Sequence, residues 1–192
     1  MMTLLQTTRL TLSPCAPADR EDFMSLERDP EVMRFLNGGY PVDQQESDPN
    51  ATLFMPRGTE PYVWTARHRA NGAFSGWFCL WPEREGLAEL GYRLRRMDWG
   101  QGLASEGAAA LVDWGFGTGQ YDRIVACTMT VNQGSRRVME KIGMNCVRQV
   151  SVDWAGAIPG GEEGEVHYEI TRTTWHARNP QIASVDIAGG RP

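Results

Sequence analysis

The chain has 192 residues and a formal net charge of −5, and this length predicts one domain around a single hydrophobic core. The acidic balance argues against general affinity for nucleic acid or anionic membranes, because both are bound through basic patches, so a basic substrate fits better. No apolar run approaches the ~20 residues of a membrane helix, and no basic stretch followed by an apolar one stands at the N-terminus, so we expect a soluble cytoplasmic protein.

The first predicted elements are a strand and two short helices. Polar and apolar residues alternate over 8–12, which predicts a strand. Asp19 is interpreted as the cap of a helix with an apolar face, and the pair Asp29-Pro30 opens a second helix. From 41 to 61 the chain is polar and has no sustained period, which is typical of a loop.

Three strands are predicted next. Aromatic and β-branched residues over 62–67 and 74–81 flank Asn71-Gly72, the strongest short hairpin signal, so these two runs should pair antiparallel. The alternating run 88–94 is interpreted as a third strand added to them.

A loop that contains glycine then leads into a helix. Gly100 and Gly102 precede a segment in which apolar residues recur at three- and four-residue spacing until Gly117. Glycines let the backbone approach a ligand closely, and the free N–H groups of a helix's first turn carry the positive end of its dipole. The order strand, glycine loop, helix therefore predicts a site for an anion such as phosphate.

The last third of the chain predicts one more helix and three strands. The apolar run 123–129 is interpreted as a strand, and Asn132 as the cap of a helix that Gly143 closes. Two final strands, about 146–154 and 165–171, are expected to form a hairpin.

The cysteines stand far apart, without a Cys-x-x-Cys pair, and the chain has three histidines. This spacing favours neither a metal site nor disulfides, and each cysteine is interpreted as a small buried hydrophobe. The four are Cys15, Cys79, Cys127 and Cys146.

The glycine loop does not fit two common nucleotide-binding motifs. A dinucleotide-binding fold requires three glycines, in the pattern Gly-x-Gly-x-x-Gly, directly after its strand. A P-loop requires Gly-Lys-Ser or Gly-Lys-Thr at the start of the helix. The stretch Trp99–Glu106 instead resembles the acyl-CoA loop of the GNAT superfamily of N-acetyltransferases, with Gly102 and Ala104 at the small positions of the pattern. Its form Trp-Gly-x-Gly-x-Ala-x-Glu is usual in the RimJ/RimL branch.

Two further stretches carry the same resemblance. The segment from Asn132 to Gly143 and the N-terminal Arg-Leu-x-Leu run are similar to that branch, although Ser13 stands where it usually carries arginine. The resemblance implies a GNAT fold of the α/β (α+β) class, with a mixed, mostly antiparallel sheet of about six to seven strands and about four helices. We expect one domain over residues 1–175 and a flexible tail over 176–192.

The resemblance also implies that acetyl-CoA is the co-substrate and that no metal is needed. Backbone N–H groups of the glycine loop would hold its pyrophosphate, and its pantetheine arm would fill a gap beside the 88–94 strand. Asn132 would hydrogen-bond the same arm besides capping its helix. The expected donor-site residues are Tyr92, Leu94, Gln101, Gly102, Leu103, Ala104, Ser105 and Asn132.

Acetyl transfer to an amine needs a base for the amine's proton and an acid for the departing thiolate. The resemblance makes Glu89 the candidate base, with a solvated or salt-bridged carboxylate as the alternative. Ser135 is the candidate acid, against a helix-cap or surface hydroxyl. Tyr92 and Tyr168 are substitutes for it, because the 132–143 helix has no tyrosine. His167 is interpreted as a structural residue.

The acceptor implied by the resemblance is a primary amine, attacked directly in a ternary complex. It is either a protein N-terminal α-amine or the amine of a small molecule. The 41–61 loop either borders the acceptor site or is a solvated connector. A non-catalytic acyl-CoA-binding sensor or assembly module is the alternative function, and the oligomeric state is left open, with a homodimer as one option.

Overall fold

The computed structural model of the chain describes residues 3–37, 56–151 and 158–179. The strands of this part are β1 (Leu5–Gln6), β2 (Leu10–Pro14), β3 (Val63–His68), β4 (Phe74–Arg84), β5 (Gly86–Leu94), β6 (Tyr121–Met129), β7 (Asn145–Val150) and β8 (Glu165–Thr171). Its α-helices are α1 (Arg20–Glu27), α2 (Pro30–Asn37), α3 (Leu103–Gly117), α4 (Gln133–Lys141) and α5 (Arg172–Arg178). The strands form one sheet in the order β1-β2-β3-β4-β5-β6-β8-β7.

Neighbouring strands pair antiparallel except β5 and β6, which pair in parallel. The predicted fold with a mixed, mostly antiparallel sheet is therefore confirmed. In the described residues the two elements beyond the predicted ones are short: β1 pairs with β2, and α5 follows β8 directly, with its Trp175 buried. Neither is long enough to show a period in the sequence.

Helix α3 lies against β4 and β5 and closes the main hydrophobic core. Two of its glycines allow this close approach, because a Cβ on Gly107 would overlap the Phe78 ring and one on Gly115 would overlap the Leu80 side chain. The helix ends at Gly117, as its sequence predicts. This packing fixes the start of α3 relative to the strand that precedes it.

Helices α1 and α2 contribute to a second apolar cluster with residues of β3 and β4. The cluster contains Phe23, Leu26, Val32, Val63, Phe74 and Trp77. Asp19 is the N-cap residue of α1 as predicted, but its side chain makes no cap hydrogen bond. Its carboxylate instead accepts hydrogen bonds from Thr65 and Arg67 of β3, so it ties this end of α1 to the sheet.

The predicted hairpins are confirmed. Asn71-Gly72 joins β3 to β4, with Gly72 at a φ of +71° and the Asn71 side chain accepting from Ala73 N at 3.0 Å. Strand β4 continues past Trp81 to Arg84, so the turn into β5 is tight. The last two strands pair with each other, and β8 lies between β6 and β7.

Some predictions lie outside the described residues. Residues 38–55 include most of the predicted 41–61 loop, and 152–157 include the end of the predicted 146–154 strand. The tail predicted over 176–192 overlaps α5, which includes its first residues up to Arg178, and residues 180–192 lie outside the described part.

Candidate active site

The site is built around a gap between β5 and β6. These parallel strands pair from Gly86 and Tyr121 up to Glu89 and Val125, and beyond that point β5 follows β4 while β6 follows β8. The backbone of Leu90–Leu94 therefore has a free edge toward β6, with donors and acceptors available to a ligand. The separation of the strands expected from the resemblance is confirmed.

The glycine loop lies at one end of this gap. Gly100 and Gly102 have φ values of +71° and +80°, a left-handed conformation that glycine adopts without steric cost. Gly102 is the N-cap of α3 and supplies no side-chain cap, and the first helical bond runs from Glu106 N to Gly102 O at 3.0 Å. The N–H groups of Leu103–Ser105 therefore have no helical acceptor, which is the arrangement that binds anions.

Side chains from outside the loop hold it in place. The Glu106 carboxylate accepts from the Thr7 hydroxyl and from Arg9 Nε at 2.7 Å, and Arg9 Nη1 donates to Gln101 O at 2.8 Å. Burial alone would raise the pKa of Glu106, but the bonds from Thr7 and Arg9 bring it below its usual value. The Gln101 side chain donates to Met97 O, so this residue offers the gap its backbone.

A hydrogen bond from the Trp99 side chain explains why a tryptophan stands at the start of the glycine loop. Its indole Nε1 donates to Leu94 O at 2.8 Å, so it satisfies the last carbonyl of β5. The bond fixes the turn that carries the chain from the free edge of β5 to the start of α3.

The hydroxyl groups of Tyr92 and Ser135 meet on the α4 side of β5. Tyr92 Oη lies 2.9 Å from Ser135 Oγ and 3.1 Å from Ser135 O. Either hydroxyl can be the donor between the two oxygens, since each carries one proton and can also accept. Burial raises the pKa of Tyr92 to about 12, so the pair stays protonated near neutral pH. The candidate acid and one of its substitutes are therefore neighbours.

Asn132 caps α4 as predicted. Its Oδ1 accepts from Ser135 N at 3.2 Å, and its Nδ2 donates to Thr128 Oγ1 at 3.1 Å. These two bonds hold the first turn of α4, and with it the Ser135 hydroxyl, against the end of β6.

Tyr168, the other substitute for the acid, is engaged elsewhere. Its hydroxyl donates to Glu140 Oε1 at 2.9 Å and accepts from Arg136 Nε at 3.2 Å. Its proton is therefore directed to a carboxylate of α4 in the structure, which favours Ser135 and Tyr92 over Tyr168 as the proton source.

Glu89 is the last β5 residue paired with β6, so it stands where the gap opens. Because side chains alternate along a strand, it projects to the face opposite Tyr92. Its Oε1 accepts from Cys127 Sγ at 3.5 Å. Burial raises the pKa of Glu89, the Cys127 contact opposes this, and Glu83 and Glu165 raise it further. A carboxyl with a raised pKa is suited to accept a proton near neutral pH.

Two residues of β8 complete the surroundings of Glu89. Cys127 lies opposite His167 in the β6–β8 pairing, and His167 Nε2 lies 2.8 Å from Glu165 Oε1. Partial desolvation of the Cys127 thiol and the charges of Glu89 and Glu165 raise its pKa well above the usual value, so it stays protonated. The prediction that each cysteine is buried is wrong for Cys127 and Cys146, which are exposed as whole residues, and Cys15 and Cys79 are half-buried.

The sequence does not predict that these neighbours lie beside Glu89. Cys127 and Glu165 were not assigned to the site, and the interpretation of His167 as a structural residue stays a prediction. The polar positions of two largely apolar strands were the available signal, but only the pairing of β6 with β8 puts them beside Glu89. Trp81, opposite Glu89 on β4 and 38% exposed, adds an aromatic wall to the same face.

Metal-binding clusters and membrane-spanning helices are both absent from the described residues. No group of three or more His, Cys, Asp or Glu side chains there is arranged to hold a metal ion. None of the helices in this part has the length and apolar character needed to cross a bilayer.

Comparison with known proteins gives consistent results. Residues 9–145 match the acetyltransferase (GNAT) domain family. A protein of Aspergillus fumigatus, FsC-acetyl coenzyme A-N(2)-transacetylase, is 36% identical over 181 residues, which cover 89% of this chain and 77% of that protein.

Solved structures share the fold. An acetyltransferase of the GNAT family from Bacillus anthracis superposes with a TM-score of 0.73 at 24% identity, over 89% of this chain and 99% of that chain. RimL, a ribosomal alpha-N-protein acetyltransferase in complex with coenzyme A, superposes with a TM-score of 0.68 at 17% identity, over 88% and 98%. With the family match over most of its length, the chain belongs to the acetyltransferase (GNAT) family and is an N-acetyltransferase.

Proposed function

We propose that this enzyme transfers the acetyl group of acetyl-CoA directly to a primary amine in a ternary complex. The observation that carries the proposal is the opening of the sheet immediately after Glu89 and Val125. It leaves a free backbone edge between a helix N-terminus on one side and a carboxyl with a raised pKa on the other.

The donor is held mainly by main-chain groups. Its pyrophosphate binds the N–H groups of the 101–105 loop and helix start, where Gly102, the N-cap of α3, has no side chain to cover the backbone. Its pantetheine arm lies along the free edge of β5 and bonds the backbone at Tyr92 and the N–H of Leu94, whose carbonyl is taken by Trp99. The Asn132 amide, at the start of α4, adds a contact from the other wall of the gap.

Glu89 is the base in this proposal. An amine enters mostly as the ammonium ion at neutral pH and must lose a proton before its nitrogen attacks the thioester carbon. The carboxylates of Glu89 and Glu165 favour the arrival of the cation, and Glu89 then takes its proton, directly or through a water molecule. The raised pKa of Glu89 makes its carboxylate a better proton acceptor than an exposed glutamate.

Ser135 and Tyr92 form the acid. As the new C–N bond forms, the nitrogen gives its second proton to water. As the C–S bond breaks, the thiolate takes the Ser135 hydroxyl proton, and the hydrogen bond to Tyr92 holds that hydroxyl in place. Solvent then returns a proton to the pair, and Glu89 releases its own. Base and acid face the gap from opposite sides of β5, so the two proton transfers do not interfere.

The acceptor proposed is an α-amine. The support is the Aspergillus fumigatus relative, whose name places its acetyl transfer at an N(2) position. The acidic surroundings of Glu89 agree with a substrate that arrives as a cation. A protein N-terminus and a small molecule both meet this description.

The test is release of coenzyme A thiol from acetyl-CoA in the presence of a panel of amines, with products identified by mass spectrometry. Acetylation of an α-amine that falls sharply in Glu89→Gln supports the proposal. Calorimetric binding of acetyl-CoA without acetylation of any amine contradicts it and favours the acyl-CoA-binding module.

A further inference from the structure

Arg93 lies on the acceptor side of β5 and the proposed mechanism does not use it. It projects to the same face as Glu89, four residues earlier, with only Gly91 between them on that face. Its side chain is 7% exposed, and the guanidinium lies over the Trp77 ring, 5.2 Å from the ring centre.

The guanidinium is poorly paired for a buried charge. Within the described residues its hydrogen bond goes from Nη1 to Met33 Sδ at 3.7 Å, although a guanidinium has five N–H donors and a thioether is a weak acceptor. Burial lowers the pKa of Arg93 to about 10, with a nearby negative charge on Glu27 opposing this. Buried charges are normally hydrogen-bonded to an opposite charge, so Arg93 has unused binding capacity.

Glu27 of α1 does not supply the missing partner. Its carboxylate is 1% exposed, and Oε1 accepts from Arg57 Nη1 at 2.8 Å. Its Oε2 has no hydrogen-bond partner, and it is not hydrogen-bonded to Arg93 in the described structure. Glu27 therefore balances the charge of Arg93 through space and leaves its N–H groups unoccupied.

Arg67 of β3, on the same face of the sheet, is an arginine with a structural role and can be compared with Arg93. It also lies over an aromatic ring, that of Phe74, at 5.8 Å. Its Nη2 donates to Asp19 at 2.8 Å and to Asp22 at 2.6 Å, and the bond to Asp19 is the main reason that its pKa is raised. The two arginines lie on the same face of the sheet, and each lies over an aromatic ring. Arg67 is hydrogen-bonded to two carboxylates, and Arg93 to none in the described residues.

We propose that the Arg93 guanidinium binds a carboxylate of the acceptor, so that the substrate is a small molecule carrying both a primary amine and a carboxylate. Such a zwitterion places its ammonium group at Glu89 and its carboxylate at Arg93. The inference rests on the proposed function, because it takes Glu89 as the position of the amine.

The strand spacing sets the length of the acceptor. At ~3.3 Å per residue the Cα atoms of Glu89 and Arg93 are about 13 Å apart. Their side chains contact different neighbouring strands, Glu89 at Cys127 of β6 and Arg93 at Trp77 of β4, so the amine and the carboxylate of the acceptor must be well separated. The spacing between amine and carboxylate is therefore part of the experiment, and a planar guanidinium suits a carboxylate because it can donate two parallel bonds.

The test compares amino acids that differ in the number of atoms between amine and carboxylate, each paired with its carboxamide. We expect the wild type to prefer the best acid over its amide by about 10- to 100-fold in kcat/KM, the effect of charge-assisted hydrogen bonds. Arg93→Met should bring this ratio close to one, and Arg93→Lys should leave an intermediate ratio because one point charge remains. Arg67→Lys is the matched control and should keep the wild-type ratio.

The outcomes separate the inference from the function on which it rests. Equal use of acids and amides by the wild type, or an unchanged ratio in Arg93→Met, would overturn the role of Arg93 while acetylation of amines continued. If no amine of either kind were acetylated, the proposed function would fail as well. The wild-type comparison decides the question even if Arg93→Met does not fold.

Discussion

The two sides of β5 offer different kinds of groups to a ligand. Toward the gap and α3, the donor side offers main-chain groups: the free edge of Leu90–Leu94 and the uncapped first turn of α3. Toward α1 and α2, the acceptor side offers charged side chains, Glu89 and Arg93, with Glu165 of β8 nearby. In the proposed function the same strand therefore serves one substrate through its backbone and the other through its side chains.

This difference explains why the donor is easier to identify than the acceptor. Main-chain recognition restricts the sequence only at positions with special backbone conformations, such as Gly102, and those positions form a recognisable pattern. Side-chain recognition depends on residues that can change without disturbing the fold. The predictions below test whether the two sides work in these two ways.

The largest effect is expected on the donor side, from Gly102→Val. A β-branched residue at a φ of +80° is a steric outlier, so the N–H groups around it should move and lose bonds to the pyrophosphate. We expect kcat/KM for acetyl-CoA to fall by about 10²-fold or more, the loss of two charge-assisted hydrogen bonds.

Gly72→Val is the matched control. Gly72 has a φ of +71° in the β3–β4 hairpin, so a valine there carries similar backbone strain away from the loop. Thermal unfolding should show comparable destabilisation of both variants, with normal kcat/KM only in Gly72→Val. Equal losses of activity would mean that the donor side depends on stability and not on its backbone groups.

On the acceptor side, Glu89→Gln should lower kcat by about 10²-fold, the usual contribution of a general base. In the wild type, kcat/KM should fall as pH falls through the raised pKa of Glu89, because only the carboxylate accepts a proton. The acid limb should therefore lie above the pH expected for an exposed glutamate and vanish in the variant. Glu169→Gln, on the same face and paired with Arg123 at 3.4 Å, should behave like the wild type.

Tyr92→Phe and Ser135→Ala should each lower kcat by about 10-fold, since a thiolate needs less help to leave than an amine. Because the two hydroxyls are hydrogen-bonded to each other, the double variant should lose less than the product of the single losses. With the pKa of Tyr92 near 12, the wild-type rate should not decline on the alkaline side before about pH 10. Fully multiplicative losses would show that the two residues act separately.

The smallest effect is expected from Glu165→Gln. Removing this negative charge lowers the pKa of Glu89, so the acid limb of kcat/KM should move to lower pH. It also weakens attraction of the ammonium group, and we expect KM for the amine to rise about threefold, the scale of a partly exposed charge pair. A pH profile identical to that of the wild type would remove Glu165 from the acceptor site.

Much of the fold could be predicted because its signals are local. Asn71-Gly72 specifies a turn, Asn132 caps the helix that begins one residue later, and Gly102 suits a left-handed position before α3. In each case the decisive hydrogen bond or dihedral involves residues within a few positions of one another. Asp19 is the exception, because its carboxylate accepts hydrogen bonds from Thr65 and Arg67 of β3 instead of from the first turn of α1.

The candidate site divides in the same way. The donor loop and the two candidate catalytic residues, Glu89 and Ser135, were predicted from resemblance, and their roles stay predictions until tested. Their partners were not predictable: Tyr92 bonds Ser135 across 43 positions of the chain, and Cys127 bonds Glu89 across 38. No local pattern records which strand will lie beside which.

The sequence by itself determined the strand, the glycine loop and the helix whose first main-chain N–H groups are left without helical acceptors, because backbone conformation is set by near neighbours. Only the tertiary structure decided where β5 leaves β6 and which hydroxyl meets Ser135. It also decided that Arg93 is buried without a hydrogen-bonded carboxylate among the described residues, while Arg67 has two. Those features depend on sheet order and on packing between distant segments, because such contacts form only when strands that are far apart in the sequence pair in the complete sheet.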